Sequence, residues 1–183
     1  MSSTQKSVNS AYTDKRVSKI KYISHRNDQL AWNINARISH ALNFDLNGEP
    51  IAAENYQLMN YGIGGFIDLH IDSNSKLKND FSYDNSGDWI ARGERLMTFM
   101  VYLSNVKEGG STVFNNLGLS VAPDQGTALY WHTIDSRGLM DQRMKHLGCP
   151  VVHGDKWIVN KWIKWHHHMF QYPCHHDGRF YSV

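Results

Sequence analysis

In Phe66-Ile67-Asp68-Leu69-His70-Ile71-Asp72 the apolar Ile67, Leu69 and Ile71 alternate with Asp68, His70 and Asp72. A period of two marks a strand that buries one face and presents the other. The same period recurs along the chain after Glu54. It predicts strands at 55–61, 66–72, 95–104, 119–122, 127–132, 144–152 and 156–164. Turn material separates them, such as Gly62-Ile63-Gly64-Gly65, Gly109-Gly110 and Pro123-Asp124-Gln125-Gly126. Earlier in the chain, between Asn27 and Asn43, Leu30, Ile34, Ile38 and Leu42 recur every fourth residue. That spacing predicts a helix with one buried stripe, capped by Asn27 or Asp28, with Asn33, Asn35 and Arg37 on its outer face. One helix followed by many strands lacks the alternation of a parallel sheet. The expected class is mainly β, a sandwich or jelly roll with at least one helix packed outside.

Composition bounds the function. A chain of 183 residues argues for one domain, and 41% apolar content excludes a disordered chain. No run approaches the ~18 apolar residues of a membrane span, and Met1-Ser2-Ser3-Thr4 does not open a signal peptide. With Lys+Arg 19 against Asp+Glu 17, charge gives no sign of a nucleic-acid or anionic-membrane surface. The two cysteines, Cys149 and Cys174, exclude a disulfide framework or a four-cysteine zinc site and leave room for one bridge. Met1 to Ser10 is polar and aperiodic, and reads as a flexible arm. Ser73 to Glu94 is a long polar segment carrying Leu77, Phe81, Tyr83 and Trp89, the composition of a lid.

On a strand, His70 and Asp72 project side by side from one face. A His-x-Asp pair supplies two thirds of the two-histidine, one-carboxylate triad of non-haem Fe(II) oxygenases, which leaves open coordination positions. The second histidine has to come from elsewhere in the sheet, and His146 in Lys145-His146-Leu147 is the candidate. Taken alone, the pair reads more simply as a solvated or hydrogen-bonded couple. Its surroundings decide.

Asn60-Tyr61-Gly62-Ile63-Gly64-Gly65 stands ahead of His70-Ile71-Asp72, and Gly109-Gly110-Ser111-Thr112-Val113-Phe114 and Gly126-Thr127-Ala128 follow. Cys149-Pro150-Val151-Val152-His153-Gly154-Asp155-Lys156-Trp157-Ile158-Val159-Asn160-Lys161-Trp162 closes the series. In this order the stretches resemble the catalytic domain of collagen prolyl 4-hydroxylase alpha subunits, in the Fe(II)/2-oxoglutarate dioxygenase family. The resemblance runs from Arg16-Val17-Ser18-Lys19 to Pro173-Cys174. It implies a double-stranded β-helix (jelly roll) within residues 11–174, between an arm at 1–10 and a tail at 175–183. It also implies Fe(II), 2-oxoglutarate and ascorbate, and hydroxylation of peptidyl proline at C4 in procollagen-like chains, with succinate and CO2 as co-products.

By the same resemblance His70, Asp72 and His146 hold the iron. Lys156, ten residues beyond His146, holds the distal carboxylate of 2-oxoglutarate. These four are the implied catalytic residues. A lysine inside a barrel needs a compensating anion, which the dicarboxylate supplies; otherwise Lys156 sits in solvent at the strand's start. Tyr61, Thr98 and Tyr102 fall at the co-substrate pocket, and Arg95 and Trp162 on the substrate side, where an aromatic wall suits an extended proline-rich helix. Each of these five also has an ordinary structural reading, in the core, a turn or a strand edge. Cys149 and Cys174 match a family cysteine pair, implying one disulfide and an endoplasmic reticulum lumen. A protein disulfide isomerase beta subunit is implied as partner, beside the proline-rich or collagen-like peptide.

Two positions depart from the family: Ile67 replaces a tyrosine and Lys164 replaces a histidine, both on the substrate side. The N-terminal part of the domain is expected to be truncated, leaving an exposed sheet edge. These departures keep an alternative open, a catalytically weak or inactive jelly-roll subunit that binds proline-rich peptide or a partner protein. A metal-dependent hydrolase on a similar barrel is a third option, opposed by Lys156 and the Gly-rich matches. His166-His167-His168 and His175-His176 read as surface clusters, and His132 and His153 are assigned no chemistry.

Overall fold

The computed structural model describes residues 9–13, 16–47, 52–73, 93–135 and 138–169. Most of the expected lid, Cys174 and the tail therefore lie outside the described residues. The chain opens with β1 (Asn9–Thr13) and β2 (Arg16–Ile23), then α1 (Gln29–Leu42), β3 (Tyr56–Tyr61) and β4 (Ile67–His70). Beyond the residues left undescribed at 74–92 come β5 (Arg95–Tyr102), β6 (Glu108–Gly109), β7 (Thr112–Phe114), β8 (Leu119–Val121) and β9 (Ala128–His132). It continues with β10 (His146–Gly148), β11 (Val151–His153), β12 (Lys156–Lys164) and α2 (Trp165–His168). The main sheet runs β8-β7-β10-β4-β2-β3-β12-β5-β9, with β1 pairing β2, and curls into a jelly-roll half-barrel. β6 and β11 form a separate pair. That pair needs glycine at 109: its φ is +78°, and a Cβ there would stand 2.3 Å from the Pro150 carbonyl.

β12 organises both cores. Its Val159 and Ile163 turn toward α1, joining Ala31, Ile38, Phe44, Leu46, Leu96 and Ile134. Its Ile158 turns the other way, into a cluster with Met59, Tyr61, Met100, Tyr102, Phe114 and Trp131. Leu96, Ile134 and Ile163 are fully buried, each contributing about 1.5–3 kcal/mol through its side chain. The second cluster is the floor of the site.

α1 starts where Asp28 Oδ1 accepts from the Ala31 amide at 2.9 Å, one of the two expected caps, and stops at Asn43 in the left-handed region. Its buried face is displaced from the expected stripe: Leu30 is 68% exposed, whereas Asn35 is fully buried. Asn35 donates to the Leu46 carbonyl at 3.0 Å and accepts from the Tyr56 hydroxyl at 2.8 Å. A polar residue with both partners satisfied can occupy a core, and those partners are distant in sequence.

Four further expectations change. Asn9 and Ser10 pair with Ile20 and Lys19, so the arm expected to reach Ser10 overlaps β1. β2 was not expected, because its exposed Lys19 and Lys21 hide the strand's one buried face. The strand expected at 144–152 divides at Cys149-Pro150 into β10 and β11, which belong to different sheets; proline cannot donate to a ladder. His168, expected at the surface, is fully buried with its ring edge-on to Phe44 at 4.6 Å.

On the helix side of β12, the buried Lys161 donates to the Glu54 carbonyl at 2.6 Å and stands 3.0 Å from His25 Nδ1. Burial lowers the Lys161 ammonium to about 7 from its ordinary 10.5, with Glu54 opposing. Burial, Lys161 and Arg26 together lower His25 to about 4, leaving it neutral. Below about pH 7 both folded and unfolded states carry the Lys161 charge, and its desolvation penalty is complete. Above about 7 the folded state sheds the proton first, so stability rises with pH by about 1.4 kcal/mol per unit. Lys161→Met is expected to flatten that rise in urea denaturation between pH 7 and 9. A variant with the wild-type slope contradicts this assignment.

Candidate metal and co-substrate site

The two site histidines meet because β10 pairs antiparallel with β4, which sets His146 directly opposite His70. Directly opposed cross-strand side chains approach closely, and the two ring centroids are 4.3 Å apart. His70 Nδ1 lies 2.7 Å from the Asp68 carbonyl, and His146 Nδ1 lies 2.8 Å from the Met144 carbonyl. A carbonyl only accepts, so each ring carries its proton on Nδ1 and directs the Nε2 lone pair inward. Phe114 and Trp131 box His146 at 5.3 and 4.9 Å between centroids.

β4 ends at His70, short of the expected strand, and Asp72 follows outside any ladder. The carboxylate is nonetheless turned between the two imidazoles. Its Oδ1 is 3.5 Å from His70 Nε2, and its Oδ2 is 3.8 Å from His146 Nε2. One ligand atom from each residue lies within 4.8 Å of the others. Burial raises the Asp72 carboxyl. The facing His70 and His146 imidazoles and the hydrogen bond from Thr98 outweigh it and hold the group well below the carboxylate range. Burial lowers His146, with Asp72 opposing. Two neutral nitrogens and one anionic oxygen converging on a point suit a divalent transition metal.

This cluster lines one side of a pocket walled by Met59, Met100, Trp131 and Ile158 among others. Lys156 reaches into it from the start of β12. It is 3% exposed, not solvated, and its Nζ stands 5.6 Å from both the Tyr61 and Tyr102 rings. Among the described residues no carboxylate lies within ion-pairing distance of it. Burial lowers the ammonium to about 8, with only Cys149 opposing. A buried cation without a counter-ion fits an anionic ligand.

The remaining predicted residues fall around this centre. Tyr61 lines the cavity, its hydroxyl donating to Met59 Sδ at 3.3 Å; burial raises the phenol to about 12 and keeps it protonated. Thr98 donates to Asp72 Oδ2 at 2.7 Å. Tyr102 lies beneath the wall, its hydroxyl 2.7 Å from Thr112 Oγ1. Arg95 stacks 3.5 Å over Trp162 and meets Glu54 through Nε and Nη2, both at 2.8 Å. Lys164 Nζ is 3.4 Å from the same carboxylate. Cys149 is half-buried near the pocket, and its expected partner lies outside the described residues.

Sequence reasoning missed Arg16, Asn160 and Glu54. Arg16 and Asn160 line the cavity, and the Asn160 Oδ1 has no hydrogen-bond partner among the described residues. Arg16 opens the Arg-Val-Ser-Lys stretch, which was the available signal. Glu54 carried none, since its partners Arg95 and Lys164 are far along the chain.

Comparisons with known proteins agree with this geometry. A family model described as the 2OG-Fe(II) oxygenase superfamily matches residues 56–164. Prolyl 4-hydroxylase subunit alpha-1 of Rattus norvegicus is 37% identical over 160 residues, which is 87% of this chain and 28% of that protein. Human prolyl 4-hydroxylase subunit alpha-3 is 36% identical over 159 residues, with the same coverage. The chain thus spans little more than a quarter of these relatives' length. Among solved structures, the viral collagen prolyl hydroxylase of Paramecium bursaria Chlorella virus-1, in its 2OG complex, superposes with TM-score 0.66 and 25% identity, over 82% of this chain and 80% of that one. A Pseudomonas putida prolyl-4-hydroxylase, 18% identical, shares the fold at TM-score 0.56, over 86% of this chain and 77% of that one. The match spans β3 to β12, which carry both histidines, the carboxylate and the buried lysine, and the chain belongs to the 2OG-Fe(II) oxygenase superfamily.

Proposed function

We propose that the chain is the catalytic core of a peptidyl-proline 4-hydroxylase that uses Fe(II), 2-oxoglutarate, O2 and ascorbate. The observation that carries this reading is the pairing of two features in one cavity: a converging His70–Asp72–His146 donor set and a buried Lys156 with no counter-ion among the described residues. Iron with 2-oxoglutarate supplies oxidative chemistry, in which one oxygen atom of O2 enters succinate and the other enters proline C4 as hydroxyl, with CO2 released. His70 and His146 hold the ion through Nε2, and their Nδ1–H···O=C bonds fix the rings. Lys156 binds the far carboxylate of 2-oxoglutarate, and the Tyr61 hydroxyl, which lines the same cavity and has a weak sulfur acceptor in Met59, donates to the same group. Met59, Met100, Ile158 and Trp131 keep water from the reacting end.

Arg95 and Trp162 are assigned to the peptide side, where Ile67 and Lys164 set this chain apart. Lys164 is folded against Glu54, so the charge it brings is engaged within the wall. That favours altered peptide preference over loss of the reaction. A luminal endoplasmic reticulum location, a protein disulfide isomerase subunit and a Cys149–Cys174 bridge belong to the same proposal and rest on the resemblance to alpha subunits.

The test supplies Fe(II), 2-oxoglutarate and ascorbate, with and without a (Pro-Pro-Gly)-type peptide. Succinate and one added oxygen atom on proline are expected. Iron-loaded, folded protein that yields neither product overturns the reading in favour of a binding subunit.

A further inference from the structure

Asp72, whose carboxylate lies between the two histidines, is held by one strand at two points, its carboxylate and its main-chain carbonyl. Thr98 Oγ1 donates to Asp72 Oδ2 at 2.7 Å, and Arg95 Nη1 donates to the Asp72 main-chain carbonyl at 3.1 Å. Residues three apart on a regular strand project from opposite faces. β5 is not regular there. Ile163 of β12 pairs with Met97 and Lys164 pairs with Arg95, so Leu96 is the extra residue of a β-bulge. Leu96 and Met97 both enter the helix-side core, and the flanking Arg95 and Thr98 both reach Asp72. Arg95 is itself fixed, bidentate on Glu54 and stacked on Trp162. Glu54 is fixed from behind by Lys161 at its carbonyl. Burial raises the Glu54 carboxyl, and Arg95 and Lys164 outweigh it and keep the group ionised.

We infer that the Leu96 bulge makes Arg95 and Thr98 a two-point clamp that positions Asp72 for metal binding, with Glu54 as the anchor of Arg95. This rests on the reading of His70, Asp72 and His146 as the metal site. The hydrogen bond from Thr98 fixes Oδ2 and leaves Oδ1 the freer oxygen for an ion. Arg95 holds the main chain of a residue that lies beyond the end of β4 and has no ladder to fix it. Neither residue touches the ion; both act through Asp72 as positioning residues.

The probe is Mn(II) alone, titrated calorimetrically into the full chain without 2-oxoglutarate or peptide. Thr98→Val keeps the shape and removes the donor, and is expected to weaken Mn(II) binding 10- to 100-fold, the usual effect of losing a partner behind a ligand. Thr98→Ser, which restores a hydroxyl, is expected to return the affinity to within about threefold of wild type. Glu54→Gln, which loosens Arg95 without touching Asp72, is expected to weaken binding by about three- to tenfold. A purely structural role lowers the melting temperature and leaves the Mn(II) affinity unmoved. Wild-type binding of one Mn(II), with Thr98→Val and Glu54→Gln within twofold of it, overturns the clamp alone. Wild-type protein that binds no Mn(II) overturns the metal reading and the clamp with it.

Discussion

Asp72→Asn is expected to lower succinate formation and proline hydroxylation by on the order of 10³-fold or more, equivalent to about 4 kcal/mol of barrier. The substitution changes almost no volume, and its amide can still accept from Thr98, so packing is preserved. It removes the single anion between two neutral imidazoles, and with it the charge that retains a divalent ion. His70→Ala and His146→Ala should match it, because each deletes one of three donors that lie within 4.8 Å of one another. His146→Ala also empties a space between Phe114 and Trp131, so its melting temperature should fall as well. Chelation should abolish turnover of wild-type protein, and Fe(II) should restore it. Turnover surviving in Asp72→Asn contradicts the assignment.

Lys156→Ala is expected to raise the 2-oxoglutarate concentration needed for half-maximal turnover by about 10²- to 10³-fold, as losing one partner of a buried ion pair costs about 3–5 kcal/mol. Iron affinity should stay near wild type, since Lys156 is not among the converging donors. Acidity gives a second signature. In the unloaded pocket burial holds the ammonium at about 8, so below that pH the cation is ready for the dicarboxylate. Above it, binding must first return a proton, and affinity should fall about tenfold per pH unit. Lys156→Arg stays charged throughout and should bind without that decline. Titration of metal-loaded protein with 2-oxoglutarate at pH 7 and 9 checks both expectations. A wild-type affinity that is flat across that range contradicts the role.

The site was more legible in the sequence than the scaffold that holds it. His70 and Asp72 stand two apart on an alternating stretch that reads as one strand face, and they do meet, although β4 ends at His70 and Asp72 is held in place from β5. The lysine followed from the resemblance, and its lack of a counter-ion is visible only once β12 is packed. β3, β5 and β12 lie close to their expected ranges because their alternation is strong and their ends are marked. β2 was invisible because lysines fill its exposed face. Asn35 was misplaced because its partners, Leu46 and Tyr56, become neighbours only in the fold. The bulge at Leu96 was unreadable for a related reason: Arg95-Leu96-Met97-Thr98 contains neither glycine nor proline to announce it. Only the pairing with Ile163 and Lys164 reveals that Arg95 and Thr98 share a face.

Anaerobic titration of the protein with Fe(II) and then 2-oxoglutarate measures the central claim most directly, because both ligands are assigned to one cavity. One iron per chain and one 2-oxoglutarate per iron are predicted, with 2-oxoglutarate binding dependent on the metal. His70→Ala should lose both, and Lys156→Ala should keep the iron while weakening 2-oxoglutarate. Iron binding unaffected by loss of His70, or 2-oxoglutarate binding indifferent to both the metal and Lys156, would contradict the account.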